Sequence, residues 1–263
     1  MAETFEFIRA NLINTTTQII VNSNTATAGY IMIPDQRFQY ASASMADDTT
    51  TTTMRITFAQ TTTIDRIAIC NHNLKKFSLF YNALTANTFA LTSTSDTTTA
   101  NYLNNSNTHQ LFRFAPVAVT SVSLDMYSTI VANSNKAVGY MVIGDKLTDF
   151  AGRRPAAQNY RINLVPKQIT HELASGGVRV QTISDNWRAQ LGFDFLSTTI
   201  QQELKDIYDN HDEIVFCPFG TCTGWDGLIF PAVWSGEFPF YNYSDNSSEA
   251  GFSGTIELVG SAK

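Results

Sequence analysis

The stretch Trp187-Arg188-Ala189-Gln190-Leu191-Gly192-Phe193-Asp194-Phe195 alternates apolar and polar or small residues over nine positions. Neighbouring side chains of a strand point to opposite faces, so this period of two gathers Trp187, Ala189, Leu191, Phe193 and Phe195 on one face. The pattern predicts a long, half-buried strand.

Immediately downstream the period changes. Ile200, Leu204, Ile207 and Tyr208 recur at i, i+4, i+7 and i+8, which predicts an amphipathic helix. Thr198 with Gln201, and Thr199 with Gln202, fit a capping box, and Asn210 is the expected stop. Strands are expected again at Ile214–Cys217, 228–234 and 254–259. Upstream, Tyr160, Ile162 and Leu164 alternate with Arg161 and Asn163. Ser175-Gly176-Gly177 supplies a turn, so residues 166–186 form a candidate hairpin arm.

The first half shows only the period of two. Met54, Ile56 and Phe58 alternate with Arg55 and Thr57. Apolar runs follow at 64–70, 77–81 and 111–114. Val122, Leu124 and Met126 alternate with serines and Asp125, and 138–144 is nearly all apolar. Such short runs without a helical stretch predict antiparallel sheets packed face to face. The expected fold is mostly β: an N-terminal jelly-roll β-sandwich over 1–148, then an α+β domain over 159–263 with one main helix. Residues 149–158, punctuated by Gly152 and Pro155, form the expected linker.

Charge narrows the function classes. Charged residues are 15% of the chain, against roughly 25% in an average soluble protein, and Thr, Asn and Ser take their place. The net charge of −6 argues against direct nucleic-acid recognition through phosphates. It is unevenly spread. Residues 1–150 carry 9 basic and 10 acidic side chains, net −1; 151–184 carry 5 and 1, net +4; 185–263 carry 3 and 12, net −9. A solvated surface or a basic segment docking on an acidic face of a neighbour both fit. No apolar stretch approaches the roughly 18 residues of a membrane helix, and the acidic start Met1-Ala2-Glu3-Thr4-Phe5-Glu6 does not read as a signal peptide. Three sparse cysteines, Cys70, Cys217 and Cys222, are no disulfide framework.

Two resemblances rest on ordered motifs. Ile67-Ala68-Ile69-Cys70-Asn71-His72-Asn73-Leu74, then Phe114-Ala115-Pro116-Val117, Val122-Ser123-Leu124-Asp125 and Gly139-Tyr140-Met141-Val142-Ile143-Gly144, resemble the galactose-binding-like (discoidin) jelly roll, in the version carried by phage virion proteins. The order of Trp187–Phe193, the helix, Cys217-Pro218-Phe219 and the closing run Phe252-Ser253-Gly254-Thr255-Ile256-Glu257-Leu258 resembles the distal-tail and minor tail proteins of long-tailed phages. Here the jelly roll comes first, whereas many distal-tail proteins place such a module later or omit it.

These resemblances imply a non-enzymatic structural subunit of a phage tail tip or baseplate. Such a subunit would form a ring with itself, join other virion tail proteins, and be assembled in the host cytoplasm. The alternative they imply is a carbohydrate-binding module for receptor or glycan recognition. A loop platform of Tyr30, Phe38 and Tyr40 would serve it, although core or interface packing explains the same residues. All three tryptophans, Trp187, Trp225 and Trp234, fall in the second half.

Catalytic signatures are missing. His72, His109, His171 and His211 lie in no metalloprotease motif, and no nucleophile elbow, phosphate loop or dinucleotide fingerprint occurs. His211, Asp212, Cys217 and Cys222 lack the tight Cys pairs of a zinc site. Asp245, Asn246 and Glu249 read as a polar loop rather than calcium ligands. The expectation is therefore no catalytic residue, cofactor or metal. Asp206, Asp209, Asp212 and Glu213 crowd the helix end where the dipole disfavours acids, which fits a solvated face or a basic neighbour. Lys167 and Arg179 on the candidate arm are the expected interface residues.

Overall fold

The computed structural model describes residues 6–8, 11–33, 37–43, 47–82, 106–146, 161–172, 175–211, 214–217, 230–242 and 251–261. The chain divides into two compact units. One holds residues 3–146 with 217–229, and the other holds 147–216 with 230–263.

In the first unit the strands are β1 (Glu6–Ile8), β2 (Gln18–Val21), β3 (Tyr40–Ala41), β4 (Thr52–His72), β5 (Leu74–Tyr81), β6 (His109–Thr129) and β7 (Ala137–Gly144). The runs expected as separate strands at 54–58 and 64–70 are one strand of 21 residues, and those at 111–114 and 122–126 are another. Register shifts between Thr57 and Thr62, and between Ile64 and Arg66, bend the β4–β6 pair. One half of β4 pairs with β2, and the other half pairs with β7. The part of β6 opposite the β2-paired half of β4 pairs on its other side with β5. Two long strands thus serve both layers of a jelly-roll sandwich, and the polar Phe58–Thr63 corner looks like a strand boundary in the sequence.

The core between the layers joins Met54 and Ile56 from one half of β4 to Ile67 and Ile69 from the other, with Phe77, Leu79, Phe112, Leu124 and Met141. An eight-residue 3-10 helix, Thr25–Met32, corrects the expectation that the first half has no helical stretch; it buries Ala28 and Ile31. At the Asn71-His72-Asn73 turn, Asn71 has φ of 52°. A Cβ on Gly139 would sit 2.8 Å from Asn71 Cβ and 3.2 Å from the Cys70 carbonyl oxygen, so only glycine lets β7 approach this turn. Lys136 is fully buried, and its ammonium donates to the carbonyl oxygens of Asp47 and Thr50, tying the 47–50 loop to the start of β7.

The second unit contains β8 (Arg161–Glu172), β9 (Val178–Leu196), α1 (Thr198–Asn210), β10 (Ile214–Cys217, all but its last residue), β11 (Phe230–Ser235), β12 (Tyr241–Asn242) and β13 (Phe252–Ser261). These strands form an antiparallel sheet in the order β10-β11-β13-β9-β8, with β12 on β13. The alternation of β9 holds: Ala189, Leu191 and Phe193 are buried, opposite Leu258, Ile256 and Gly254 of β13. A register shift at Phe252/Gly254 then lets Leu196 be buried as well.

Helix α1 buries Ile200, Leu204 and Ile207, as its stripe requires. The helix begins ahead of the expected caps and stops where expected. Ser197, not Thr198 or Thr199, is the N-cap: its hydroxyl accepts from the Ile200 N–H at 3.4 Å. Asn210 is its last residue, and His211 follows in the left-handed cap conformation, at φ 54°. The linker 149–158 lies outside the described residues.

Candidate functional site

The sheet ladder shows why the arm exists. The last pairing of β9 with β13 is Asn186 to Ser261, whereas β8 and β9 continue together from Pro166↔Asp185 to Glu172↔Val178. Beyond the sheet the two strands therefore run on as a two-stranded ribbon. At roughly 3.4 Å per residue, its seven paired positions extend about 24 Å before the turn. Gly176 takes φ of 78° in that turn, a conformation open to glycine at little cost.

Residues 166–172 and 178–182 of the ribbon are exposed on both faces. Ile169 is 45% exposed, Val178 62% and Val180 52%. Pairing fixes its faces. Ile169 lies opposite Gln181 and His171 opposite Arg179, so these four share one face; Thr170 opposite Val180 and Glu172 opposite Val178 share the other. Arg179 and Lys167 are exposed, and the salt bridges among the described residues include neither. An isolated two-stranded hairpin is marginal in water. A protruding one with bare aliphatics lacks the third layer that would bury them.

The other candidates fare differently. Tyr40 is fully buried, with its hydroxyl donating to the Ser23 carbonyl oxygen at 2.9 Å; burial pushes its pKa up to about 12 despite that bond. It belongs to the core, which corrects the three-ring platform. Tyr30 and Phe38 do meet, with ring centroids 5.4 Å apart and edge to face, and Phe38 is 39% exposed.

His72 is buried; its Nδ1 accepts from the Leu74 N–H, and its ring meets Phe77 edge to face at 5.7 Å. Burial above all, with His109 nearby, lowers its pKa to about 3, so it stays neutral. Cys70 is a buried thiol pushed up to about 12 by burial, and Cys217 is raised by burial too. Neither is poised as a nucleophile. Asp206 accepts from Gln202, and Asp209 pairs with Lys205, so two of the four acids at the helix end have partners within the helix. Asp212, Glu213, Cys222, Trp225, Asp245, Asn246 and Glu249 lie outside the described residues. Among the described residues, no three His, Cys, Asp or Glu side chains gather as a metal would need.

Two features escaped the sequence reading. The first is a buried ion triad: Glu6 accepts from Arg66 and Arg113, which are 60 and 107 positions away. The second is an aromatic cluster on the second unit. Tyr208 of α1 meets Trp234 of β11 at 5.5 Å and Phe238 at 5.5 Å; Phe238 meets Trp234 at 5.6 Å and Phe240 at 4.7 Å. Its only sequence signal was the run Phe238-Pro239-Phe240 beyond β11.

No protein-family model matches the chain, and no curated protein matches it. Solved structures similar to part of it include CpGH89CBM32-6 of Clostridium perfringens, at 16% identity over 51% of this chain and 97% of that one, TM-score 0.39. Another is the family 32 CBM from C. perfringens NanJ in complex with galactose, at 9% identity over 52% and 98%, TM-score 0.40. A third is chitosan-binding module 1 of a Paenibacillus sp. IK-5 chitosanase/glucanase, at 11% identity over 51% and 97%, TM-score 0.39. Each covers about half of this chain. At such identities and TM-scores, what those modules bind does not carry over to it.

Proposed function

We propose that this chain is a non-catalytic structural subunit that associates with copies of itself, of the kind built into phage tail tips, and that the β8–β9 ribbon is its joining element. The observation that carries this reading is the ribbon itself: about 24 Å of paired strand beyond the sheet, with exposed aliphatic side chains and the exposed cations Lys167 and Arg179 on its surface. Closed assemblies built head to tail need two different complementary surfaces on each subunit, and the split between 151–184 at net +4 and 185–263 at net −9 fits that need.

Sedimentation velocity on the purified chain tests this. A discrete oligomer is expected for the native chain, and a folded monomer when residues 167–184 are replaced by an Asn-Gly turn. A monomeric native chain at tens of micromolar, or an unchanged oligomer without the ribbon, would overturn the reading.

Glycan recognition by the first unit is the second reading, favoured by the partly exposed Tyr30–Phe38 pair. Aromatic faces of this kind can stack on sugars. A glycan array probed with the native chain and with Phe38→Ala tests it: sugar binding lost in the variant supports this reading, and no binding by the native chain refutes it.

A further inference from the structure

We infer that the aromatic cluster of Tyr208, Trp234, Phe238 and Phe240 is the receiving surface for the ribbon of a second copy, with the Ile169/Arg179 face of that ribbon seated on it. The inference rests on the self-association reading and adds the surface to which the ribbon binds.

The cluster is built rather than incidental. Trp234 extends the cross-strand row Ala189, Leu258, Trp234 across the sheet, and its indole N–H donates to the Glu237 carbonyl oxygen at 3.1 Å, which fixes the ring. Gly254 of β13 holds the next segment close: a Cβ there would sit 2.6 Å from the Pro239 carbonyl oxygen and 2.8 Å from Phe240 Cδ1. Phe240 is thereby pressed onto the sheet, Phe238 packs against Phe240 at a tilt, and Tyr208 closes the group from the helix. Yet all four rings stay only half-buried. Glu237, whose backbone carbonyl holds the indole, is itself exposed, as is His211, whose ring lies 6.5 Å from that of Tyr208.

The occupant follows from complementarity. Half-buried rings with an exposed acid, Glu237, next to Phe238 in the chain favour a cation carried on an apolar strand, since guanidinium groups are drawn to Trp and Tyr faces. The chain exposes such an element. Ile169 and Arg179 share one ribbon face, and Arg179 takes part in no salt bridge among the described residues. Trp, Tyr and Arg are also the side chains that dominate binding energy at interfaces. The ribbon's own face stays exposed in the isolated chain, so it is free to seat on another copy.

A charge swap tests the pairing. Arg179→Glu and Glu237→Lys should each weaken self-association by about tenfold or more in sedimentation equilibrium, which is about 1.4 kcal/mol. The two together should restore much of it, and Phe238→Ala should weaken it without touching either charge. If the ribbon deletion abolishes association but Glu237→Lys and Phe238→Ala leave it unchanged, the receiving surface lies elsewhere, while the self-association reading stands. If the native chain never associates, both fall. If galactose or chitotriose quenches the tryptophan emission of the native chain but not of Trp234→Phe, and association survives Glu237→Lys, the cluster is a sugar platform and the pairing is refuted.

Discussion

Glu6 Oε2 lies 3.2 Å from Arg66 Nε, with Arg113 Nε at 3.1 Å on the same oxygen, and the carboxylate and the Arg66 side chain are almost wholly buried. Burial by itself would raise the Glu6 pKa, but Arg113 and Arg66, through charge and hydrogen bonds, outweigh it and hold the carboxylate below its usual value of 4.5. Removing one member of such a group leaves uncompensated buried charge. Glu6→Gln is therefore expected to cost about 3–5 kcal/mol of stability in urea unfolding at neutral pH. Since the folded pKa is depressed, the stabilisation is complete above about pH 4.5 and is lost as pH falls through the folded value. The gap between native and variant chains should narrow only in that acid range; a gap constant down to pH 3 would refute the assignment.

His72 predicts a second pH effect at higher pH. Its folded pKa of about 3 lies below the ordinary 6.5, so the unfolded chain takes up a proton that the folded one refuses. Stability should fall by roughly 1.4 kcal/mol per pH unit as pH drops below about 6.5, levelling near 3. His72→Asn offers an oxygen in place of the Nδ1 acceptor and does not titrate. It should flatten the profile between pH 6 and 5, where Glu6 does not yet contribute, and an unaltered slope would count against His72.

The face of α1 is tested by a pair of neighbours. Leu204 is 1% exposed, and Leu204→Ala should cost roughly 2–5 kcal/mol through the cavity it leaves. Lys205 is partly exposed and pairs with Asp209 one turn on; Lys205→Ala should change stability by less than about 0.5 kcal/mol. Equal effects in chemical denaturation would contradict this burial pattern.

Domain independence is tested by limited trypsin digestion. Cleavage within 149–158, at Arg153 or Arg154, should precede loss of either half and leave two resistant fragments identifiable by mass. One resistant fragment spanning both halves after prolonged digestion would count against independent domains.

Consecutive residues were enough to show which side chains turn inward. Periods of two and of 3.6 are properties of consecutive residues, so Ala189, Leu191 and Phe193 on β9, and Ile200, Leu204 and Ile207 on α1, were legible before any partner strand was known. The ribbon was legible too, because the turn Ser175-Gly176-Gly177 sits between two matched runs. Local geometry misled where two signals compete. Thr198 and Thr199 fitted capping boxes while the cap is Ser197, just before them, and the polar corner of β4 looked like a strand end although its backbone continues through a bulge.

Tertiary structure alone decided what distance in the chain conceals. Glu6 meets Arg66 and Arg113 only once the sandwich closes, Tyr40 enters the core while Phe38 stays at the surface, and Lys136 reaches back to the carbonyls of Asp47 and Thr50. The aromatic cluster depends likewise on Gly254 allowing Phe240 to approach β13, a clearance no periodicity encodes. Alternation fixes the face of each residue within its own element, but contacts between elements depend on register and packing, which exist only when the whole chain has folded.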